Sequence, residues 1–151
     1  MYKKRVKRDK FKIDRSENGK KKRTFRDILF DSEMEMKFYR DYLLPLQETG
    51  EIVTIILQPK FLLQDKFKKY GKSFLAINYV ADYEVVFKDG RNIIFEVKGL
   101  PTEAAKIKKK LFDYKYPNRV LEWIALSSKF GGWLQYDELQ KLRAKEKKNK
   151  Q

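Results

Sequence analysis

A strong turn signal between two apolar segments defines the centre of this sequence. Residues 79–87 and 92–98 are rich in Val, Ile, Tyr and Phe, and the tetrapeptide Lys-Asp-Gly-Arg at residues 88–91 lies between them. An Asp-Gly pair between two such runs predicts a β-hairpin. Because successive side chains of a strand point to opposite faces of the sheet, the length of the turn decides which residues share a face.

Charged side chains interrupt both strands of this hairpin. Asp82 lies in the first strand, and Glu96 and Lys98 lie two residues apart in the second. Alternation puts Glu96 and Lys98 on one face with Ile94. Charges within apolar strands are costly unless they are paired or bound to a metal, so these three residues are candidate functional residues. The alternative is the solvent face of an amphipathic hairpin, with a weak surface pair between Glu96 and Lys98.

The length of the turn decides whether Asp82 can meet Glu96. A two-residue loop puts Asp82 opposite Val97, which sends the two carboxylates to opposite faces of the sheet. A three-residue loop, with Gly90 in the left-handed conformation, puts Asp82 directly opposite Glu96. We therefore expect the three-residue turn, or a bulge that gives the same register.

Two carboxylates placed in this way repel each other. At a separation of about 4 Å and an effective dielectric constant near 20, the repulsion is on the order of 4 kcal/mol, and a divalent cation turns it into attraction. The chain has no histidine and no cysteine. This excludes a Ser/His/Asp triad and the usual zinc sites, and leaves oxygen ligands, which favour Mg²⁺, Mn²⁺ or Ca²⁺.

The net charge of +15 is concentrated at the two ends of the chain. Residues 1–26 hold 13 Lys and Arg against three acids, residues 141–151 hold six against Glu146, and residues 27–140 are formally neutral. This predicts a basic N-terminal arm, a central domain and a basic C-terminal tail. The two basic ends are expected to bind nucleic acid. The alternative is a pair of solvated ends that aid solubility. Neither end has the apolar face that a membrane surface requires.

The rest of the chain predicts alternating helices and strands. Ser32 and Glu35 have the spacing of a capping box, and Gly50 can end the helix that follows. The further expected features are an irregularity at Pro45, one or two strands in residues 52–63 broken at Pro59, a basic loop at residues 65–73, the hairpin strands, a helix opened by Pro101 and ended by Pro117, a strand at residues 120–126 and a helix from Tyr136 to about Lys145. This order predicts a small α/β domain with a mixed sheet, whose last strand is reached by a helical crossover.

The charged residues of the hairpin also resemble a known signature. Asp82, a spacer of thirteen residues and then the tripeptide Glu-Val-Lys at residues 96–98 are similar to the PD-(D/E)XK pattern of the restriction-endonuclease-like superfamily. Ala81 stands where that pattern has proline, a substitution common in the superfamily. Over residues 27–126 the chain resembles a small phage-encoded branch, some relatives of which are Holliday-junction resolvases. The implied fold is a helix, a mixed central sheet with a catalytic hairpin, then a helix and a further strand.

The resemblance implies a role for each of these residues. Asp82 and Glu96 would bind Mg²⁺, with Mn²⁺ as a substitute, and Lys98 would position or activate the attacking water. The superfamily often adds an acid on the first helix, for which Glu35 fits and Glu33 is a weaker alternative; the competing role of Glu35 is the capping box. The expected function is a Mg²⁺-dependent DNA endonuclease, selective for branched or junction DNA, which acts in phage DNA recombination or processing in the host cytoplasm. A homodimer would suit symmetric cutting of two strands.

Lysines in the central domain are the expected contacts with nucleic-acid phosphates. They are Lys60, Lys68, Lys69, Lys106, Lys109 and Lys110. On the crossover helix we expect a buried stripe of Ala104, Ile107, Leu111 and Tyr114, which leaves some of its lysines to face phosphate, with an ordinary solvated face as the alternative. Two other functions remain open: a non-catalytic nucleic-acid-binding protein on the same fold, and an RNA-directed nuclease.

Overall fold

The structure, a computed structural model, describes residues 13–150. Its helices are α1 (Glu17–Lys22), α2 (Glu33–Phe38), α3 (Leu44–Glu48), α4 (Glu103–Lys115) and α5 (Tyr136–Asn149). Its strands are β1 (Thr24–Phe25), β2 (Ile28–Leu29), β3 (Ile52–Leu57), β4 (Lys60–Gln64), β5 (Phe67–Lys69), β6 (Lys72–Phe74), β7 (Ile77–Val80), β8 (Tyr83–Phe87), β9 (Asn92–Val97), β10 (Val120–Ser127) and β11 (Gly132–Gln135). None of the helices within these residues is long and apolar enough to cross a membrane.

Five strands form the central sheet, in the order β11, β10, β9, β8 and β3. β9 and β10 are parallel, whereas the other neighbouring strands are antiparallel. The parallel pair needs a long connection, and α4 supplies it between the end of β9 and the start of β10. The mixed α/β architecture and the helical crossover expected from the sequence are therefore confirmed.

The central hairpin of β8 and β9 has the three-residue turn that the sequence predicts. Tyr83 pairs with Phe95, and Val85 pairs with Ile93. The N–H of Phe87 donates to the carbonyl of Arg91 over 2.9 Å. Gly90 has φ +90°, a left-handed conformation that most residues with a side chain avoid, and this allows the turn to close. Continuing the register beyond Tyr83 places Asp82 opposite Glu96.

The sheet is covered on both faces. On one face Phe38 of α2 packs on Phe95 and Tyr83, in a cluster that also contains Val97. On the other face Ile94, which is fully buried, packs in a second cluster with four other residues: Tyr79, Ala81, Phe112 and Leu121. This is the alternation expected for β9, because Phe95 and Val97 lie on one face and Ile94 on the other.

The predicted capping box opens α2. Ser32 is the N-cap, and its side chain accepts a hydrogen bond from the N–H of Glu35 (3.1 Å) while its hydroxyl donates to the Glu35 carboxylate (2.9 Å). Pro45 has no N–H for the helical ladder, and the chain passes through a π-helical turn at Tyr39–Leu43 before α3 begins. Gly50, with φ +79°, ends the helical segment as expected.

The predictions for the crossover helix were wrong in two respects. The N-cap of α4 is Thr102, whose side chain accepts a hydrogen bond from the N–H of Ala105 (3.2 Å). Pro101 lies before the helix and is not its first residue. The expected buried stripe is exposed: Ile107 is 60% exposed and Tyr114 is 87% exposed. The helix is instead buried through Phe112, which contacts the rings of Phe61, Tyr79 and Tyr116. The side of α4 that carries Phe112 faces the sheet because the ring of Phe112 finds aromatic partners there.

Other local predictions also need correction. The expected basic loop at residues 65–73 is a hairpin of β5 and β6. β11 was not expected; it pairs antiparallel with β10 at the edge of the sheet. Within the proposed N-terminal arm, residues 1–12 lie outside the described part, and the remainder contains α1 and β1. The last helix continues past the expected end at Lys145 to Asn149, so most of the basic C-terminal segment is helical.

Candidate functional site

A cleft of about 730 Å³ lies where β8 and β9 meet the N-terminal ends of α2 and α4. Its lining includes four of the residues singled out in the sequence: Glu35, Asp82, Glu96 and Lys98. Gln58, which was not singled out as a site residue, also lines it. The cleft therefore brings these three acids and Lys98, with Asp31 as a fourth acid, into a common, partly buried space.

Asp82 is held by backbone groups of two neighbouring segments. Its carboxylate accepts a 2.7 Å hydrogen bond from the N–H of Val97, and its carbonyl accepts one of 2.9 Å from the N–H of Gln58. Burial, followed by the charges of Glu96 and Glu35, raises the pKa of Asp82 to about 9, against the opposing effect of the Val97 hydrogen bond. The protonated form of this carboxyl group is therefore favoured over the ionised form relative to a carboxyl group in water.

Glu96 is paired through only one of its two carboxylate oxygens. Its Oε1 lies 2.5 Å from Nζ of Lys98, and the Glu96 residue is only 7% exposed. Its Oε2 is buried and makes no hydrogen bond of ordinary geometry among residues 13–150, although the Tyr79 side chain is close enough to oppose the rise in the pKa of Glu96. Burial raises the pKa of Glu96, while the charge of Lys98 opposes the shift. A buried carboxylate oxygen without a donor is costly, so a cation at this point would relieve the cost.

Glu35 takes part both in the capping box and in the cleft. Its Oε1 accepts from Ser32, and its Oε2 accepts from the backbone N–H of Asp31 over 3.2 Å. Burial raises the pKa of Glu35 to about 6, with the Ser32 hydrogen bond opposing the shift and the charges of Asp31 and Glu96 adding to it. The two roles weighed for Glu35 therefore do not exclude each other. Glu33, the alternative acid, forms a surface pair with Lys37 over 2.9 Å.

The acids of the cleft are of the type that binds a hard divalent cation, but their present arrangement does not bring them together around one. Within residues 13–150, no three acidic side chains converge closely enough to hold a metal ion as they stand. Asp82 is engaged by Val97, Glu96 by Lys98, and Glu35 by its capping partners. Asp82, Glu35 and Glu96 offer oxygen atoms of the type that hard divalent cations prefer as ligands, and burial raises the pKa of each of these groups.

The six candidate phosphate-binding lysines lie in three places. Lys106 and Lys109 form pairs along α4, with Glu103 (2.7 Å) and Asp113 (2.8 Å), and Lys110 is exposed on the same helix. Lys60 pairs in register with Val80, which lines the cleft, and is therefore close to its rim. The last two, Lys68 and Lys69, lie on β5, away from the cleft lining.

The structure adds Gln58 as a site residue that the sequence did not single out, and it shows the surroundings of Lys108, one of the crossover-helix lysines expected near the site. Gln58 has φ +50°, and its side chain donates to the Asp31 carboxylate over 3.2 Å, across the mouth of the cleft. Lys108 donates to the carbonyl of Asn78 (3.1 Å), and its charge contributes to lowering the pKa of Glu96. Because Ile107 is exposed, α4 is rotated relative to expectation, and Lys108 reaches the carbonyl of Asn78 on β7. For Gln58 only its place beside Pro59, at the break between two strands, gave a signal.

A family model described as a protein of unknown function, DUF1064, matches residues 15–132. The chain belongs to the DUF1064 family. The match includes the acids and the lysine of the cleft, whereas Ile13, which also lines the cleft, lies just before it. No curated protein and no solved structure matches the chain. Since the DUF1064 description specifies no activity, a functional assignment has to come from the geometry of the cleft.

Proposed function

We propose that this protein is a Mg²⁺-dependent endonuclease that hydrolyses DNA phosphodiester bonds. The observation that supports the proposal best is the shared cleft of Asp82, Glu96 and Lys98, with Glu35 beside them. Asp82 lies immediately before β8, Glu96 lies in the opposed strand β9, and Lys98 is two residues from Glu96. The arrangement matches the resemblance to the PD-(D/E)XK signature in residue type and in sheet register.

The electrostatics of the cleft favour the binding of a cation. Four acidic side chains line the cleft, those of Asp31, Glu35, Asp82 and Glu96, and its lining includes one lysine, Lys98, so the described site has more acid than base. The raised pKa values of Asp82 and Glu35 reflect burial and repulsion by neighbouring acids, and a divalent cation would oppose both effects because it favours the ionised carboxylates. With neither histidine nor cysteine in the chain, oxygen-preferring Mg²⁺ is the natural choice, and Mn²⁺ can replace it.

Each cleft residue then has a role in hydrolysis. Asp82 and Glu96, with Glu35 directly or through water, would hold the cation, which polarises the scissile phosphate and makes a bound water more acidic. Lys98 orients the attacking water and offsets charge that develops on the phosphate. The backbone N–H of Val97 keeps Asp82 in place during the reaction.

DNA is the substrate class that fits the charge distribution. The excess of positive charge lies at the two ends of the chain, so DNA affinity would come largely from phosphate contacts there, while the central domain supplies the chemistry. The mixed sheet with its hairpin and helical crossover supports a restriction-endonuclease-like core. Branched or junction DNA, processed during phage DNA recombination by a homodimer in the host cytoplasm, is the context that the resemblance implies.

The test is cleavage of end-labelled substrates by the full chain. Linear duplex, nicked, flap, four-way-junction and RNA substrates are incubated with Mg²⁺, with Mn²⁺ and with EDTA. We expect metal-dependent cutting of DNA, which Asp82→Asn and Lys98→Ala each reduce at least about 100-fold while DNA binding persists. Matched controls are Glu48→Gln and Lys88→Ala, which remove the same charges from exposed positions outside the cleft.

The other outcomes separate the competing functions. Normal cutting by both cleft variants would show that the active site lies elsewhere. Binding without any metal-dependent cutting would indicate a non-catalytic nucleic-acid-binding protein. Cutting of RNA but of none of the DNA substrates would indicate an RNA-directed nuclease.

A further inference from the structure

The hairpin of β5 and β6 is exposed along its whole length. Every residue from 64 to 76 is exposed, and the two strands pair with each other as a separate two-stranded sheet. Phe67 and Phe74 are direct cross-strand partners, and their rings stack with centroids 4.6 Å apart. An isolated hairpin is marginal in water, and an aromatic cross-strand pair is one of the few contacts that stabilises it. The hairpin is therefore an ordered projection rather than part of the core.

The hairpin carries an excess of positive charge. Residues 65–74 contain four lysines against Asp65. Lys69 lies directly opposite Lys72, an arrangement of like charges that destabilises a strand pair. Neither lysine forms an ion pair with a carboxylate of residues 13–150. An anion bound between the two ammonium groups would turn this repulsion into attraction.

The tip of the hairpin presents an aromatic side chain in a strained conformation. Tyr70 has φ +49° and Gly71 has φ +75°, the two positive values of a type I′ turn. Asn, Asp or Gly is preferred at the first of these positions, and a bulky residue there is an outlier. Tyr70 is 92% exposed, and its ring has Nζ of Lys69 5.4 Å from its centroid. A ring held in solvent at a strained position contributes little to the fold and is available to a ligand.

We infer that the β5–β6 hairpin is a DNA-binding arm, in which Lys69 and Lys72 contact phosphates and Tyr70 stacks on an unstacked base. This inference rests on the proposed action on DNA and specifies the preferred substrate. The chain between Asp82 and Tyr70 spans at most about 40 Å at roughly 3.3 Å per residue, which is close to one turn of B-DNA. The arm therefore contacts the DNA up to about one turn from the bond that is cut.

Stacking by Tyr70 favours DNA whose base stacking is already interrupted. One base stacked on an aromatic side chain contributes about tenfold in affinity (1.4 kcal/mol). In a continuous duplex, the cost of unstacking a base step cancels this gain. At a gap, flap or junction that cost is absent, and the full gain remains. The arm thus gives a physical basis for selecting branched or interrupted DNA over continuous duplex.

Charge also argues against the main alternative occupant, a second copy of this chain. Two hairpins paired edge to edge would bring two sets of four lysines together with only the two Asp65 side chains between them. A polyanion provides the complementary charge that a second copy lacks. We therefore assign the hairpin to DNA, and the oligomeric state becomes one readout of the test.

The test measures DNA binding by the full chain in EDTA, where no metal-dependent cleavage can occur. Fluorescence anisotropy compares a continuous duplex with the same duplex carrying a three-nucleotide gap. We expect Tyr70→Ala to weaken binding to the gapped duplex about tenfold and to the continuous duplex less than twofold, and Tyr70→Phe to behave as wild type. The double variant Lys69→Ala/Lys72→Ala should weaken both equally and reduce the log–log salt slope by up to about 1.8.

A second readout reports stacking directly. A 2-aminopurine base at the edge of the gap should be quenched by the wild type and by Tyr70→Phe, but not by Tyr70→Ala. The charge-matched control Lys37→Ala/Lys129→Ala removes two lysines that pair with Glu33 and Glu146, and it should change neither affinity more than twofold.

Three results would overturn the inference. They are equal weakening on both duplexes for Tyr70→Ala, unchanged binding for either hairpin variant, and dissociation of a wild-type dimer by Tyr70→Ala in sedimentation. None of them depends on cleavage. If the hairpin variants behave as expected and Mg²⁺-dependent cutting is absent, the proposed catalysis fails and the binding arm stands; if cutting is present and Tyr70→Ala has no effect, the reverse holds.

Discussion

The carboxylate of Asp82 accepts a 2.7 Å hydrogen bond from the backbone N–H of Val97, the residue between Glu96 and Lys98. This contact crosses the central hairpin and uses neither of the two charged side chains beside it. It fixes Asp82 at the middle of the Glu-Val-Lys run while leaving Glu96 and Lys98 to pair with each other. A buried acid held in this way is positioned by the backbone, so its place does not depend on a ligand.

The first prediction concerns stability against pH without metal. The pKa of Asp82 is raised to about 9 and that of Glu35 to about 6, so the folded state binds more protons than the unfolded chain above about pH 4. The contribution of Asp82 and Glu35 to the free energy of unfolding is fully present below their pKa values in the unfolded chain, and it is lost as the pH rises through their pKa values in the folded state. We expect the free energy of unfolding in urea, measured in EDTA, to fall as the pH rises, through both groups between pH 5 and pH 6 and through Asp82 alone from pH 6 to pH 9, by up to about 1.4 kcal/mol per pH unit for each group that titrates in that range.

Variants assign this slope to individual groups. Asp82→Asn keeps an oxygen that can accept from Val97 and removes the charge, so it should flatten the decline between pH 6 and pH 9 and raise stability at pH 8. Glu48→Gln, an exposed acid 3.5 Å from Arg26, should leave the slope unchanged. Mg²⁺ should stabilise the wild type more at pH 8 than at pH 5. A wild type whose stability is constant from pH 5 to pH 9 would contradict the burial of Asp82 as a carboxyl group.

The register of the central hairpin could be predicted because an Asp-Gly pair fits only a few short turns and the positions of the charged residues distinguish between them. Only the three-residue turn put Asp82 and Glu96 on one face, and Gly90 could adopt the conformation that this turn requires. The capping box of Ser32 and Glu35 was equally local. The capping box followed from short-range backbone chemistry, whereas the turn followed from that chemistry together with the requirement that two charged side chains share a face.

What the sequence could not decide were choices between similar alternatives. α4 has two stripes at helical spacing, through Ile107 and through Phe112, and only ring partners supplied by distant segments select the second. Tyr70 is not a usual residue at the first central position of a type I′ turn, so the sequence of the β5–β6 hairpin was interpreted as a loop. The placement of Gln58 in the cleft depends on strands that meet only in the folded sheet.

The second prediction separates the two roles of Glu35. Glu35→Gln keeps one carbonyl oxygen for the capping box and removes the negative charge from the cleft, so cleavage should fall at least about tenfold with little change in stability. Ser32→Ala removes the cap and keeps the charge, so stability should fall by about 1 kcal/mol with cleavage nearly unchanged. The measurements are single-turnover cleavage and urea unfolding of both variants. Equal effects of the two variants on cleavage would mean that Glu35 acts only through the helix start.

The third prediction concerns the basic N-terminal segment. Residues 1–12 contain seven Lys and Arg against Asp9, whereas the next residues already belong to the folded part, since Ile13 lines the cleft. Deletion of residues 1–12 should therefore weaken binding to every DNA sequence alike, because phosphate contacts do not read bases. The log–log salt slope should fall by about 0.9 for each phosphate that the shortened chain no longer neutralises, as measured by anisotropy at several salt concentrations. A deletion that altered sequence preference while the salt slope stayed constant would contradict a purely electrostatic role.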